Sequence, residues 1–340
     1  MTRSARRSTI VDVAHRAAVS IATVSRVLNG RPVADQDLVA RVRAAADELG
    51  YRPNTVARDF RRGLTSSIGV VVPDLANPFF PHVLKGLAND VSVGEHRLLV
   101  VDSGEDPEEE IRLVEQLAGR CDGIVLCSPR MSVANLHAAA GLGIPIICTN
   151  RSVAGLPLGT IGIDSATGMG EAVAHLGRLG HRRVGYLAGP PSSWSDGRRR
   201  EGLAAAATAC GMEVLTAVAG STSDAGFTTL PHLLGRGVTA VLAFSDLVAV
   251  GALSRLREMD VAVPADLSVV GFDDIPVAAF LGPPLTTVSV PKEELGRQAW
   301  IMLRQQMQDG EVAPEQWLPS ALVVRRSTAA PAAPPRYAVR

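Results

Sequence analysis

The sequence predicts an α/β core of two parallel-sheet subdomains, preceded by a small all-α domain. Three observations carry this. From about residue 67 to 326, short apolar runs alternate with helical runs, the pattern of parallel strands buried on both faces. Ten such runs exceed what one sheet comfortably holds, so two α/β subdomains are expected. Ahead of them, residues 1–63 carry twelve arginines against six acidic residues in a chain of 340 residues whose net charge is zero. A basic head on an acidic body is the charge pattern of a polyanion-binding module joined to a separate domain.

The head reads as three helices over residues 1–53, after a basic lead of eight residues expected to be disordered. Residues 11–17 place Val13, Ala14 and Ala17 on one face, and residues 21–28 do the same with Val24, Val27 and Leu28. Ser20 offers a side-chain oxygen just before the second helix, an N-cap signal. That leaves Ile21, Ala22, Ser25, Arg26 and Asn29 on the outer face. Small residues around one Arg suit close entry into a DNA major groove, although an ordinary helical hairpin would show the same stripes. A third helix starts at Asp35, buries Leu38, Val42, Ala45, Ala46 and Leu49, and stops at Gly50 with Pro53 beyond. Residues 54–63 (NTVARDFRRG) form a linker with Val56, Ala57 and Phe60 at helical spacing. One turn and a half of helix has no stability of its own, so this segment should fold only when a partner orders it.

In the body, strands are expected at 68–72, 97–101, 123–127, 144–148, 160–163, 184–188, 214–218, 238–243, 268–272 and 286–290, with helices between most of them. The boundary between subdomains falls near Ile163–Ser165. The assignment is an effector-binding core over 64–326, with subdomains of about 64–164 plus 291–315 and 165–290 plus 316–326. The Pro/Ala-rich residues 327–340 are expected to be a disordered tail.

Ligands of open parallel sheets sit at the carboxyl ends of the strands. The residues placed there include Asn77, Phe79 and Phe80 after 68–72, Asn150 and Arg151 after 144–148, and Asp164 after 160–163. Ser193, Trp194, Ser195 and Arg199 follow 184–188, Ser245 and Asp246 follow 238–243, and Asp273 and Asp274 follow 268–272. Carboxylates and Arg take paired hydroxyls, and aromatic faces take the C–H face of a ring, so a small polyhydroxy ligand fits this set. An Asp after a strand is also a common helix cap, and Asp246 is open to that second role.

Several function classes find no support. No G-x-G-x-x-G follows a strand, and Walker A, G-x-S-x-G and H-E-x-x-H motifs are missing from the sequence. The seven histidines are scattered, and His181, beside Arg182 and Arg183, reads as a surface loop residue. Cys121, Cys127, Cys148 and Cys210 have no metal-ligand or C-x-x-C spacing and read as reduced core thiols. The expectation is therefore a protein that is not an enzyme and has no cofactor or metal. Arg3, Arg6 and Arg7 precede no apolar signal region and no run is long enough to span a membrane, so a cytoplasmic location without membrane partners is expected.

Two stretches of the first domain and linker, TIVDVAHRAAVSIATVSRVLNG and LGYRPNTVARDFRRG, and one at the start of the core, IGVVVPDLANPFF, resemble the lactose-repressor (LacI/GalR) family of bacterial transcription regulators. So do IGIDSATGMGEAVAHLGRLGHRRVGYLAGP, FSDLVAVGAL and SVVGFDDIPVAAFLGPPLTTVSVP, and the resemblance runs in order from residue 9 to about 326. It implies a helix-turn-helix headpiece, a hinge helix and a periplasmic-binding-protein-like (Rossmann-like) core. It also implies a homodimer on pseudo-palindromic double-stranded operator DNA, most often as a repressor controlled allosterically by a small effector. The matching DNA-contacting positions are Ser20, Ile21, Ala22, Thr23, Ser25, Arg26 and Asn29 in the headpiece, with Ala57, Arg58 and Phe60 in the hinge. Those for the effector are Phe79 or Phe80, Ser195, Arg199 and Asp273, and then Asn77, Asp164, Trp194 and Asp246.

The chemistry of the residues agrees with these roles. Arg26 is the one strong donor on its helix face and suits a bidentate contact to guanine, whereas Ile21 and Ala22 offer apolar contacts only. Phe60 could wedge a base step apart and kink the duplex, while Arg58, Arg61 and Arg62 would meet phosphates. The chain also departs from the family. Ala18 stands where a turn glycine is usual, the loop before Asp35 is one residue longer, Phe60 replaces the commoner Leu, and Asp59 stands where Ser is common. No Leu heptads follow the core, so no tetramerisation helix is expected. Two rival readings are a stand-alone sugar-binding protein of a transport system and an enzyme on an α/β scaffold. The basic head argues against the first and the missing motifs against the second. The effector reads as a sugar or sugar derivative ahead of a nucleobase.

Overall fold

A computed structural model describes residues 8–28, 32–33, 35–51, 65–91 and 96–332. The chain divides into two compact units, Met1–Thr65 and Ser66–Arg340.

In the first unit, α1 (Ile10–Ala17), α2 (Ile21–Leu28) and α3 (Gln36–Glu48) bury one shared apolar cluster. Val13, Val24 and Val42 are fully enclosed at its centre, with Ala14, Ala17, Val27, Ala45 and Ala46 around them. Three helices of this length cannot persist separately, so this cluster is what makes them one domain. Thr9 caps α1 in a reciprocal box with Asp12, and Asp35 caps α3 by accepting from the Leu38 amide at 3.0 Å. The turn between α1 and α2 passes through Ala18 at φ 53°, ψ 48°, in the left-handed region. A Cβ there costs about 1–2 kcal/mol relative to a right-handed residue, and the turn carries that cost in order to aim α2. The 54–63 linker lies outside the described residues.

The second unit holds two six-stranded sheets with the same plan. The first has strand order β11-β5-β4-β3-β1-β2, from β1 (Ser67–Val72), β2 (Arg97–Asp102), β3 (Gly123–Cys127), β4 (Ile146–Thr149), β5 (Gly159–Ile163) and β11 (Gln316–Leu318). The second has order β12-β10-β9-β8-β6-β7, from β6 (Arg183–Ala188), β7 (Glu213–Val218), β8 (Ala240–Ala243), β9 (Ser268–Asp273), β10 (Thr286–Ser289) and β12 (Ala321–Val323). All neighbouring strands are parallel except β10 and β12.

Helices connect the strands of the first sheet as α4 (Phe79–Val91), α5 (Pro107–Ala118) and α6 (Val133–Ala140). Those of the second are α7 (Ser165–Leu179), α8 (Trp194–Cys210), α9 (Ser223–Thr229), α10 (Pro231–Leu234) and α11 (Asp246–Glu258), while α12 (Lys292–Asp309) returns to the first sheet. The central strands are buried along their whole length, as β3 and β8 show, which explains their unbroken apolar sequences. Close helix pairs need glycine: a Cβ on Gly86 would lie 1.9 Å from the Glu293 carbonyl, so α4 and α12 could not meet.

The chain passes between lobes three times, near Asp164, at Val290–Pro291, and between Leu318 and Ala321. Two expectations need correction. Residues 316–318 belong to the first lobe, because β11 pairs with β5. A three-residue strand has no alternation to read, and β11 and β12 both went unpredicted for that reason. Residues 327–332 are also not free of the core. The Ser327 carbonyl accepts from the Val269 amide at 2.8 Å, and its hydroxyl donates to the Val269 carbonyl at 2.6 Å. His181, expected on the surface, is buried, with Nε2 2.9 Å from the Ala329 carbonyl and Nδ1 2.8 Å from Thr239 Oγ1. The Pro/Ala composition hid a short strap whose backbone bonds to the start of β9.

Candidate functional site

On α2 the sequence has already sorted the faces. Val24 and Val27 are buried, Leu28, Thr23 and Ser25 are half-buried, and Ser20, Ile21, Ala22 and Arg26 are exposed. Ser20 caps the helix, accepting from the Thr23 amide at 3.1 Å with the two hydroxyls 2.8 Å apart. Ile21, at 49% exposed, is a large apolar side chain held in solvent at a helix start. A β-branched residue left uncovered on the same helix as exposed Arg26 suits a surface that meets a groove. Asn29, Ala57, Arg58 and Phe60 lie outside the described residues.

A cleft opens between the two lobes at the carboxyl ends of their strands. From the first lobe it is lined by Asn77, Phe79, Phe80, Ser128, Arg130 and Asn150; from the second by Ser193, Ser195, Arg199, Phe244 and Asp273. Asn77 accepts from the Phe79 amide at 3.0 Å, which starts α4 and aims two edge-to-face phenyl rings, 5.2 Å apart, into the cleft. Asn150 sits at φ 52°, and its amide links the Ser128 hydroxyl (3.2 Å) to the Ile163 amide (3.0 Å).

Each lobe contributes one buried arginine. Arg130 is gripped by Glu105 through two contacts, 2.5 and 3.2 Å, and donates to the Ser128 carbonyl at 3.0 Å. It also reaches across the cleft to the Ser193 hydroxyl at 3.4 Å. Arg199 donates to the Phe244 carbonyl and, at 3.3 Å, to Asp273. Its guanidinium lies 3.7 Å from the Phe272 ring centroid and 4.6 Å from that of Phe244, and its buried Nε has no partner. A rigid donor held between rings with one N–H unmet suits an incoming hydroxyl or carbonyl oxygen.

Asp273 sits at φ 106° and Asp274 at φ 54°, a strained pair whose carbonyls both accept from Lys292 Nζ. Burial pushes the Asp273 carboxyl up to about 6, while Arg199 and Lys292 pull it back down. At neutral pH it is therefore mainly an acceptor. As it stands the cleft encloses about 30 Å³, room for roughly one water molecule.

Six of the nine effector residues chosen from sequence meet in this cleft: Asn77, Phe79, Phe80, Ser195, Arg199 and Asp273. Asp164 and Trp194 line a neighbouring cavity instead. Asp164 caps α7, accepting from the Thr167 amide at 3.1 Å and its hydroxyl at 2.6 Å. Asp246 lines neither cavity. It is fully buried, accepting from the Thr287 hydroxyl at 2.5 Å and the Ile275 amide at 2.8 Å, and Ser245 takes the capping role. A Cβ on Gly271 would lie 2.1 Å from Asp246 Oδ1, so that carboxylate is packed against β9. Burial, and then the Asp273 charge, lift its pKa to about 8. Ser128 and Arg130 went unselected although they follow β3 as the other lining residues follow their strands. Phe244 carries no chemical signal in sequence.

Among the described residues no cluster of His, Cys, Asp and Glu could hold a metal ion, and no helix is long and apolar enough to cross a membrane. The four cysteines are free thiols, and burial lifts those of Cys127 and Cys148 to about 12.

Comparison with known proteins places both parts. Residues 9–54 match the family described as bacterial regulatory proteins, lacI family, and residues 173–328 match the periplasmic binding protein-like domain. The chain is 34% identical over 333 residues to the HTH-type transcriptional repressor CytR of Escherichia coli (strain K12), covering 95% of this chain and 97% of that one. Its fold is similar to the lac repressor dimer bound to operator and the anti-inducer ONPF, with a TM-score of 0.87 at 29% identity over 96% of this chain and 100% of that one. A complex of the transcriptional regulator CelR with cellobiose is similar at a TM-score of 0.71 and 31% identity, covering 94% of this chain and 100% of that one. The chain therefore belongs to the lacI family of bacterial regulatory proteins, transcriptional regulators that join a helix-turn-helix DNA-binding domain to a periplasmic-binding-protein-like effector domain.

Proposed function

We propose that the protein is a cytoplasmic homodimeric repressor that binds a pseudo-palindromic operator and is controlled by a small carbohydrate held between its lobes. The observation that carries this reading is the convergence of Arg199, Asp273 and Ser195 from one lobe with Asn77, Phe79 and Phe80 from the other on a single cleft. These are hydroxyl-binding and ring-binding groups together, and they are set where lobe closure would sense a ligand. The cellobiose complex of CelR supports the ligand class, and the operator complex of the lac repressor supports the DNA partner and the dimer. Surface chemistry supports the dimer as well. β2 is an edge strand exposing Leu99 and Val100, and Phe280 in the Pro276–Phe280 turn is 86% exposed. Uncovered apolar side chains on a sheet edge invite a partner.

In this reading Arg26 makes the directional base contact, while Ile21 and Ala22 meet thymine methyls or sugar. Ser20, Thr23, Ser25 and Asn29 orient the helix and contact the backbone. The hinge residues Ala57, Arg58 and Phe60 act in the minor groove, so two-fold spacing and hinge insertion carry much of the specificity. Asp164 and Trp194 serve the effector from the cavity beside the cleft. The relatives are transcriptional regulators, which supports a regulatory role without catalysis.

The test is binding of the full-length protein to its selected operator and to random duplex at one salt concentration. Replacing Arg26 with Ala should remove about 1–3 kcal/mol of discrimination at one base pair per half-site, leaving random binding within a few-fold. Equal losses on both duplexes would remove Arg26 from base reading.

A further inference from the structure

The cleft that holds Arg199 and Asp273 is nearly filled, yet a larger cavity of about 450 Å³ lies beside it. The two share walls. Ser152 of the cavity lies two residues past Asn150 of the cleft, and Trp194 and Arg198 stand on α8 next to Ser195 and Arg199. In the wall of the cavity Trp194, from the second lobe, stacks on Trp317 of β11 in the first. Their indole centroids are 5.3 Å apart and their planes differ by only 19°.

This arrangement is built. A Cβ at Gly162 would lie 2.3 Å from the Trp317 ring, so only glycine lets that indole lie across β5. Arg198 stands 5.8 Å from the centroid of Trp194. Trp317 remains 40% exposed, a large ring kept at the edge of a cavity rather than in a core. Asp164 and Glu315 line the same space. Glu315 accepts from the Ser152 hydroxyl and Asp164 from Thr167, and each carboxylate keeps further lone pairs for a ligand hydroxyl. Arg198, the cation in this lining, is already paired with Glu201. The cavity therefore lacks an uncompensated positive charge for a phosphate.

We propose that this cavity is a second subsite for the effector, taking the second ring of a neutral oligosaccharide of at least two sugar units between Trp194 and Trp317. The proposal rests on the reading of the main cleft as a carbohydrate site. Parallel indoles borne by opposite lobes close on each other when the space is empty and close on a sugar ring when it is full. A two-ring ligand thus bridges the lobes through groups that a single ring in the main cleft does not touch.

The test uses full-length protein, calorimetry and tryptophan emission, with glucose, cellobiose and maltose, and with galactose and lactose. At least one disaccharide should bind about tenfold tighter than its constituent monosaccharide and quench tryptophan emission. Trp317→Ala should erase that advantage and leave monosaccharide affinity within about twofold, while Trp317→Phe, which keeps a ring, should retain most of it. Equal affinity for one and two rings in the unaltered protein would overturn the subsite and leave the main cleft intact, as would an equal loss for both in a folded Trp317→Phe protein. Binding of none of these sugars would overturn the carbohydrate reading and the subsite with it.

Discussion

The two lobes have the same strand order but use their buried arginines differently. In the first lobe Arg130 is held by two contacts to Glu105, whose side chain keeps 22% exposure. In the second, Arg199 has one 3.3 Å contact to Asp273, an unmet Nε, and a strained neighbour at positive φ. Ion pairs hold best when both forks of the guanidinium are used. The first pair is therefore a settled strut, and the second is left open for a ligand. The two arginines stand at different places in the shared plan, Arg130 after β3 and Arg199 on the helix that follows β6, and what separates their roles is satisfaction of hydrogen bonds.

The sharpest way to break this comparison is to remove each arginine. Arg199→Ala leaves the buried Asp273 carboxylate without its guanidinium partner, and should cost about 3–5 kcal/mol of stability in urea denaturation near pH 8. The cost should shrink toward pH 5, where Asp273 takes up a proton. Arg130→Ala leaves Glu105 within reach of water and should cost about 1–2 kcal/mol. Equal costs, or a pH-independent loss for Arg199→Ala, would end the distinction. In effector titrations the same order should hold, with Arg199→Ala weakening binding about a hundredfold or more.

The second lobe also buries Asp246, and the first buries Glu110, whose pKa burial lifts to about 7 against the Arg130 and Met131 amides. A carboxyl with a raised folded pKa stabilises the fold below its unfolded pKa, and that contribution is lost as pH rises through the folded value. Asp246 has the higher value, about 8. Stability should therefore fall from the ordinary carboxylate value of 3.8 up to about pH 8, and Asp246→Asn should flatten the fall while keeping bonds to Thr287 and Ile275. Two histidines, half-buried His175 and buried His181, work in the opposite direction. Burial lowers the pKa of His175 and His181, so their contribution is lost as pH falls below about 6.5. A thermal-melt series over this range reads both trends, and an unchanged slope in Asp246→Asn would remove Asp246 as the cause.

The smallest effect belongs to the DNA-binding domain, where strain is local and the lobes play no part. Ala18→Gly relieves the left-handed turn and should raise that domain's stability by about 1 kcal/mol. Calorimetry of the full chain should show that transition moving up. An unmoved or lowered transition would mean that loss of freedom in the unfolded chain outweighs the strain.

Much of this was legible from residue order because it depends on period. The valines at positions 13, 24, 27 and 42 fall at helical spacing and meet in one cluster. The apolar runs become central strands because parallel strands buried on both faces need no alternation. The post-strand rule found Asn77, Phe79, Phe80, Ser195, Arg199 and Asp273 because strand ends in such a fold converge.

Tertiary structure alone decided the remainder. Asp246 and Asp273 both follow strands, yet one faces the cleft and the other is sealed beneath β9, a difference set by which side of the sheet the chain turns toward. Trp194 and Trp317 are 123 positions apart in sequence, and only the second crossing, which returns the chain to the first lobe, brings their rings together. The Ser327–Ala329 strap and buried His181 depend on long-range hydrogen bonds to Val269, Thr239 and each other, which composition does not encode. Local spacing determined which faces are apolar and where strands end. Burial and long-range pairing determined which of the polar residues left over meet one another.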